Sequence, residues 1–138
     1  MNTKHAILVV DDNQAVIDAL RFLFKQEGWR VVALTEPARV AQAVAREEPE
    51  LVLLDMNFTR DTTSGAEGIE TLKLLRQADP DLPVILMTAW GTVDRAVEAM
   101  KLGARDYVTK PWNNERLLHA CRTHIELRAA RRANRLLS

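Results

Sequence analysis

Five side chains able to do joint chemistry lie between positions 11 and 110 of this sequence: Asp11, Asp12, Asp55, Thr88 and Lys110. Each follows a segment that reads as a strand. Ala6-Ile7-Leu8-Val9-Val10 runs into Asp11-Asp12, Leu51-Val52-Leu53-Leu54 into Asp55, Val84-Ile85-Leu86-Met87 into Thr88, and the short Asp106 to Thr109 into Lys110. In an open α/β sheet the carboxyl ends of the strands form the ligand-binding edge. Three carboxylates gathered there repel one another, which raises a pKa or strains the fold unless a cation joins them. A hard divalent ion such as Mg²⁺ suits a site of few carboxylates, a carbonyl and several waters. A carboxylate beside such an ion and a lysine ammonium can also attack phosphorus, because both cations neutralise charge on the transferring oxygens. The product would be an aspartyl phosphate, with the Thr88 hydroxyl and the Ala89 backbone N–H as donors to the new phosphoryl oxygens. Taken singly, an aspartate reads as a helix cap, Thr88 as a strand-end residue and Lys110 as a solvated charge. The coincidence of all five at strand ends carries the argument.

The elements that must position them follow from hydrophobic spacing. Asn13 is placed to cap a helix in which Val16, Ala19, Leu20 and Leu23 recur at intervals of three and four, and Gly28 stops it. Trp29 to Leu34 reads as a second strand, and Pro37 as the opening of a helix with Val40, Ala43 and Val44 inward. Ile69, Leu72 and Leu75 make a third helical face. Gly91 or Thr92 starts a fourth helix with Val93, Ala96, Val97 and Met100 at helical spacing, closed by Gly103. A last helix presents Leu117, Leu118, Cys121 and Ile125 and continues toward the basic tail. Five strands alternating with five helices imply an α/β fold, a parallel sheet covered on both faces and joined by right-handed crossovers. Met56 to Gly68 is longer than most strand-to-helix loops, and Ser64 with Glu67 has capping-box spacing.

A chain of 138 residues fits one domain. Lys plus Arg and Asp plus Glu both number 19, so the net charge is zero and whole-surface attraction to nucleic acid or anionic membrane is not expected. The charge is uneven, however: Arg122, Arg128, Arg131, Arg132 and Arg135 crowd the end against Glu126. The single cysteine, Cys121, excludes an intrachain disulfide. No leader pattern and no apolar run of the roughly 20 residues a bilayer needs are present, and a cytoplasmic location is expected. His5, His119 and His124 lack metal-ligand spacing.

Val9-Val10-Asp11-Asp12, Leu53-Leu54-Asp55-Met56, Met87-Thr88-Ala89 and Asp106-Tyr107-Val108-Thr109-Lys110-Pro111 together resemble the motifs of the response-regulator receiver domain of two-component systems. The likeness covers roughly Lys4 to Leu127. It implies a doubly wound, flavodoxin-like sheet of order 2-1-3-4-5, with 1–127 as the receiver and 128–138 as the start of a helical linker to an output domain. It implies Asp55 as phosphoacceptor, Asp12 as a direct Mg²⁺ ligand, Asp11 as an acid holding the ion largely through water, and Asn57 as donor of a backbone carbonyl. Lys110 and Ala89 would meet the phosphoryl group, and Thr88 with Tyr107 would be a switch pair. The Lys110–Pro111 bond is often cis in the family. The partners implied are a sensor histidine kinase, a second copy on phosphorylation, and output domains. The family's usual proline after the phosphoacceptor is absent, an insertion runs from Thr59 to Gly65, and Glu67-Gly68 replaces the usual Asp-Gly. Thr88-Ala89-Trp90-Gly91 and Thr109-Lys110-Pro111-Trp112 are similar to receivers that precede an AAA+ ATPase and act with sigma-54.

Rival readings are separable on residues. A haloacid-dehalogenase-like phosphatase also uses an aspartyl nucleophile, but wants a second Asp where Asn57 stands. A nucleotide-binding sheet would carry Gly-x-Gly-x-x-Gly or a Walker-type loop, and neither occurs. DNA binding by the arginine-rich tail would be strongly salt-dependent and lacks an evident recognition helix. A stand-alone receiver acting through protein contacts is the remaining alternative to a transcriptional regulator.

Overall fold

Alternation of apolar side chains along each strand divides the interior into two layers, because successive residues of a strand point to opposite faces. The structure, a computed structural model, describes residues 5–56, 66–88 and 93–137. In chain order the elements are β1 (Ala6–Val10), α1 (Gln14–Lys25), β2 (Arg30–Leu34), a 3₁₀ turn (Pro37–Arg39), α2 (Val40–Glu47), β3 (Leu51–Asp55), α3 (Ala66–Ala78), β4 (Val84–Thr88), α4 (Val93–Lys101), β5 (Asp106–Thr109) and α5 (Asn114–Leu137). The strands form one parallel sheet of order β2-β1-β3-β4-β5, the doubly wound order expected. Leu8, Val10, Val52, Leu54, Val84 and Leu86 face one layer, with Val40 and Val44 of α2, Ile69, Leu72 and Leu75 of α3, and Ala99 of α4. Ile7, Val9, Leu51, Leu53, Ile85 and Met87 face the other, with Ile17, Leu20 and Phe24 of α1 and Leu117, Cys121 and Ile125 of α5. Each fully buried aliphatic or aromatic side chain contributes about 1.5–3 kcal/mol. Strands β1, β3 and β4 are buried along their whole length, which is why they are continuous apolar runs rather than alternating ones.

Several boundaries and faces differ from the sequence-based expectation. Asn13 caps α1 as expected, its side chain accepting from the Ala15 and Val16 N–H groups. The buried stripe of α1 is nevertheless Ile17, Leu20, Leu23 and Phe24, with Ala19 exposed and Val16 half-buried. Both sets repeat at three and four, so spacing alone did not choose between them; the larger Ile17 and Phe24 cover more apolar area and turn inward. Strand β2 starts at Arg30, leaving Trp29 outside it to pack on Phe24 with ring centroids 5.4 Å apart. Pro37 opens a 3₁₀ turn, and the α-helix proper starts at Val40. In α4, Val97 and Met100 are 50% and 36% exposed while Ala99 is fully buried. A small residue lets this helix approach the sheet, and its bulkier side chains fall on the flank. Gly103 closes α4 with φ +113°, a conformation that side chains resist, and a Cβ there would also meet Arg76 Nε at 2.6 Å. Helix α5 continues unbroken to Leu137. No helix among the described residues is long and apolar enough to cross a membrane.

Candidate functional site

Register places the chemistry. Asp11 follows the last residue of β1, and Asp55 is the last residue of its neighbour β3, where Val10 pairs with Leu54. Beyond β3, Asp55 pairs with Met87, so Thr88 lies one step further along the same edge, and Thr88 pairs with Thr109 just before Lys110. Backbone hydrogen bonds carry the sheet to its rim: Met56 N donates to Met87 O at 2.9 Å and Lys110 N to Thr88 O at 2.8 Å. The five residues that the sequence disperses therefore share one end of the sheet.

Asp11, Asp12 and Asp55 form an acidic cluster in which each offers a carboxylate oxygen within 4.8 Å of the others. Asp11 and Asp55 are 0% and 1% exposed, and Asp12 is half-buried. Lys110 Nζ donates to Asp11 Oδ2 and to Asp55 Oδ1, both at 3.0 Å, and thus bridges two of the three acids. Burial of the ammonium pulls its pKa down, but the Asp55 and Asp11 charges, with their hydrogen bonds, outweigh this and hold Lys110 above the ordinary lysine value. Asp11 is oriented from its other side, since Asp11 Oδ1 accepts the Asn13 N–H at 2.9 Å while Asp11 N donates to Leu34 O at 3.1 Å. Asn13 thus acts twice, its side chain capping α1 and its backbone N–H holding Asp11. An all-oxygen set of three carboxylates, two of them out of solvent, has the chemistry of a hard-cation site.

Thr88 is 2% exposed at the end of β4. Tyr107 sits opposite Leu86 on β5 and is 44% exposed, so its ring lies at the surface. The Lys110–Pro111 bond is cis. Asn57, Ala89, Trp90, the expected helix start at Gly91 or Thr92, the Thr59 to Gly65 insertion and the Ser64–Glu67 spacing involve positions outside the described residues. One contributor was not legible from composition: a Cβ on Gly68 would lie 2.7 Å from Met56 Sδ and 3.2 Å from Met56 Cα. A side chain at this position would push α3 off the segment immediately after Asp55. Its signals in the sequence are a glycine inside an otherwise helical pattern and its place in the Glu67-Gly68 pair that stands for the family's Asp-Gly.

Residues 7–122 match the family model of the response regulator receiver domain. The response regulator protein FleR of Pseudomonas aeruginosa is 40% identical over 118 residues, which make up 86% of this chain and 24% of that protein. The chain thus spans about a quarter of that relative's length. The sporulation initiation phosphotransferase F of Bacillus subtilis is 33% identical over 129 residues, 94% of this chain and 98% of the relative. Among solved structures, the N-terminal signal receiver domain of a two-component system response regulator from Bacteroides fragilis superposes with a TM-score of 0.79 at 38% identity, covering 89% of this chain and 98% of that one. A matched family model over most of the length, and a relative matched nearly end to end, agree with the sheet order and the acidic edge: the chain belongs to the response regulator receiver domain family.

Proposed function

We propose that this chain is a phosphoacceptor module that takes a phosphoryl group from a phosphohistidine of a sensor kinase onto Asp55. The observation that carries the reading is Lys110 Nζ held 3.0 Å from both Asp11 and Asp55, beside Asp12. Asp11, Asp12, Asp55 and the Asn57 carbonyl would hold Mg²⁺, which supplies positive charge against the transferring oxygens. Asp55 attacks phosphorus, an oxygen–phosphorus bond forms, and the nitrogen–phosphorus bond to the kinase imidazole breaks, leaving the imidazole to take up a proton. Lys110, already bound to an Asp55 oxygen, neutralises charge on the phosphoryl group as it arrives. Thr88 and the Ala89 N–H donate to its remaining oxygens. The chain modifies itself and does not turn over a free substrate.

The switch follows from the same residues. Thr88 moves toward the phosphoryl oxygens, and Tyr107, whose ring lies at the surface, occupies the space that Thr88 leaves. The phosphorylated site need only favour that arrangement for the population to shift. The face formed by α4, β5 and α5 then changes, and its exposed Val97, Met100, Leu102 and Tyr107 support a homodimer contact there. Residues 1–127 act as the receiver and 128–138 as the start of a helical linker to an AAA+ and a DNA-binding output domain that regulate transcription with sigma-54, in the cytoplasm. The quarter-length match to FleR supports such a longer regulator. The nearly end-to-end match to the sporulation phosphotransferase favours a second reading, a stand-alone receiver acting by protein contacts.

Incubation with acetyl phosphate and Mg²⁺ tests the acceptor. The wild type takes up one phosphoryl group and Asp55→Asn none; labelling of Asp55→Asn at the wild-type level overturns the assignment.

A further inference from the structure

Among its described side chains, the second half of α5 buries no aliphatic residue against the domain. The helix's inward side chains Leu117, Cys121 and Ile125 end at position 125, and beyond them Leu127 and Leu136 are 46% and 88% exposed. Among the described residues of this stretch the buried one is an arginine, Arg128, 7% exposed. Arg128, Arg131 and Arg135 follow one another at intervals of three and four, which puts them on one helix face. Two acids receive that face. Arg128 Nη2 donates to Asp79 Oδ2 at 3.1 Å, and Arg135 Nη2 pairs with Asp81 Oδ2. Between them, Arg131 has Nε and Nη2 shielded from solvent with no hydrogen-bond partner among the described residues.

Both acids come from the turn between α3 and β4, and that turn is built to present them. Asp79 Oδ1 accepts the Asp81 N–H at 3.0 Å, Asp79 O accepts the Leu82 N–H at 3.1 Å, Pro80 fixes the backbone between, and Arg76 donates to Pro80 O. The Asp79 carboxylate is thus held in place by the turn, as is the Asp81 backbone, so Asp79 loses little side-chain freedom on pairing. The Arg135 hydrogen bond, followed by opposing burial and then the charges of Arg135, Arg131 and Arg128, holds the Asp81 carboxyl below its ordinary value.

We infer that the Asp79-Pro80-Asp81 turn is an ionic clamp that docks residues 128–137 of α5 onto the domain and fixes the direction in which this helix leaves the sheet. At 1.5 Å per residue the clamped segment is a lever of about 15 Å. It lies at the end of the sheet opposite the acidic edge, because β4 begins where this turn ends and finishes at Thr88. Its outer pair, Arg135–Asp81, is exposed enough for salt to weaken, whereas the buried Arg128–Asp79 pair is screened much less.

Hydrogen–deuterium exchange of the 138-residue chain tests the clamp, with peptides spanning 128–137 as the readout. Wild-type amides of this segment exchange more slowly than in Asp81→Arg or Arg135→Asp, each of which speeds exchange by about fivefold or more. The double variant Asp81→Arg/Arg135→Asp restores slow exchange, while peptides of β1, β3 and β4 are unchanged in all four proteins. Rapid exchange of 128–137 in the wild type, equal exchange in the single variants, or a double variant no slower than either single one overturns the inference. The surface position of both residues keeps the comparison clear of global unfolding, and unchanged β-strand peptides verify it.

Discussion

Replacing Lys110 by Met keeps an unbranched side chain one atom shorter and removes its charge, which isolates what the ammonium does. With an effective dielectric of about 20, two unit charges 3.0 Å apart attract by about 5.5 kcal/mol, and two carboxylate oxygens at 4.8 Å repel by about 3.5 kcal/mol. Lys110 makes two such attractions, and Asp11, Asp12 and Asp55, no more than 4.8 Å apart, make three repulsions of at least about 3.5 kcal/mol each, so the repulsions are at least comparable with the attractions. Burial of the ammonium offsets part of the attraction, and breaking a buried pair from one side costs about 3–5 kcal/mol in practice. At about 3 kcal/mol, and about 4 °C per kcal/mol for a domain of this size, Lys110→Met should melt about 12 °C below the wild type. Adding Asp55→Asn relieves two of the three repulsions. The double variant should therefore be more stable than Lys110→Met alone, with a coupling of at least about 2 kcal/mol in a double-mutant cycle. Urea unfolding of the four proteins at pH 7 without divalent cations measures both quantities. A loss below about 1 kcal/mol for Lys110→Met, or additive substitutions, would refute the balance of charges worked out above.

Three further predictions rest on other parts of the chain. Asn13→Ala removes the α1 cap and costs about 1 kcal/mol in urea unfolding; since the Asn13 N–H that holds Asp11 remains, acetyl phosphate labelling should persist. Cys121 is fully buried, and burial pushes its thiol up to about 12, so iodoacetamide at pH 8 should leave the folded protein unmodified and alkylate it only in denaturant. Asp81 has its pKa lowered by folding, so its contribution to stability is present above the unfolded value of 3.8 and is lost as pH falls through the folded one. The stability gap between wild type and Asp81→Asn at pH 6 should accordingly close on acidification below 3.8, and a gap that widens there would contradict the Arg135 pairing.

The strands and the site edge were legible because both rest on local chemistry. Buried parallel strands must be continuous apolar runs, and Asp11, Asp12, Asp55, Thr88 and Lys110 each stand where such a run ends, so topology alone gathers them. Asn13 was recognisable as a cap because its side chain serves N–H groups two and three residues on. Residues 17, 24, 97 and 99 show where sequence periodicity stops. A helical stripe of three-and-four spacing has neighbours with the same spacing, and only the surface it meets selects among them. That is why Ile17 and Phe24 turned inward, and why Ala99 rather than Met100 faces the sheet.

What the sequence determined by itself was the fold class, the strand order implied by the receiver motifs and the chemical identity of the acidic edge. What only the tertiary structure decided was which charges pair and which residues make close contact. Lys110 shared between Asp11 and Asp55, Gly68 against Met56, and Arg128 and Arg135 against Asp79 and Asp81 all join residues distant in sequence. Coulombic and contact energies fall off within a few ångströms, and no spacing rule along the chain encodes such distances until the elements have packed.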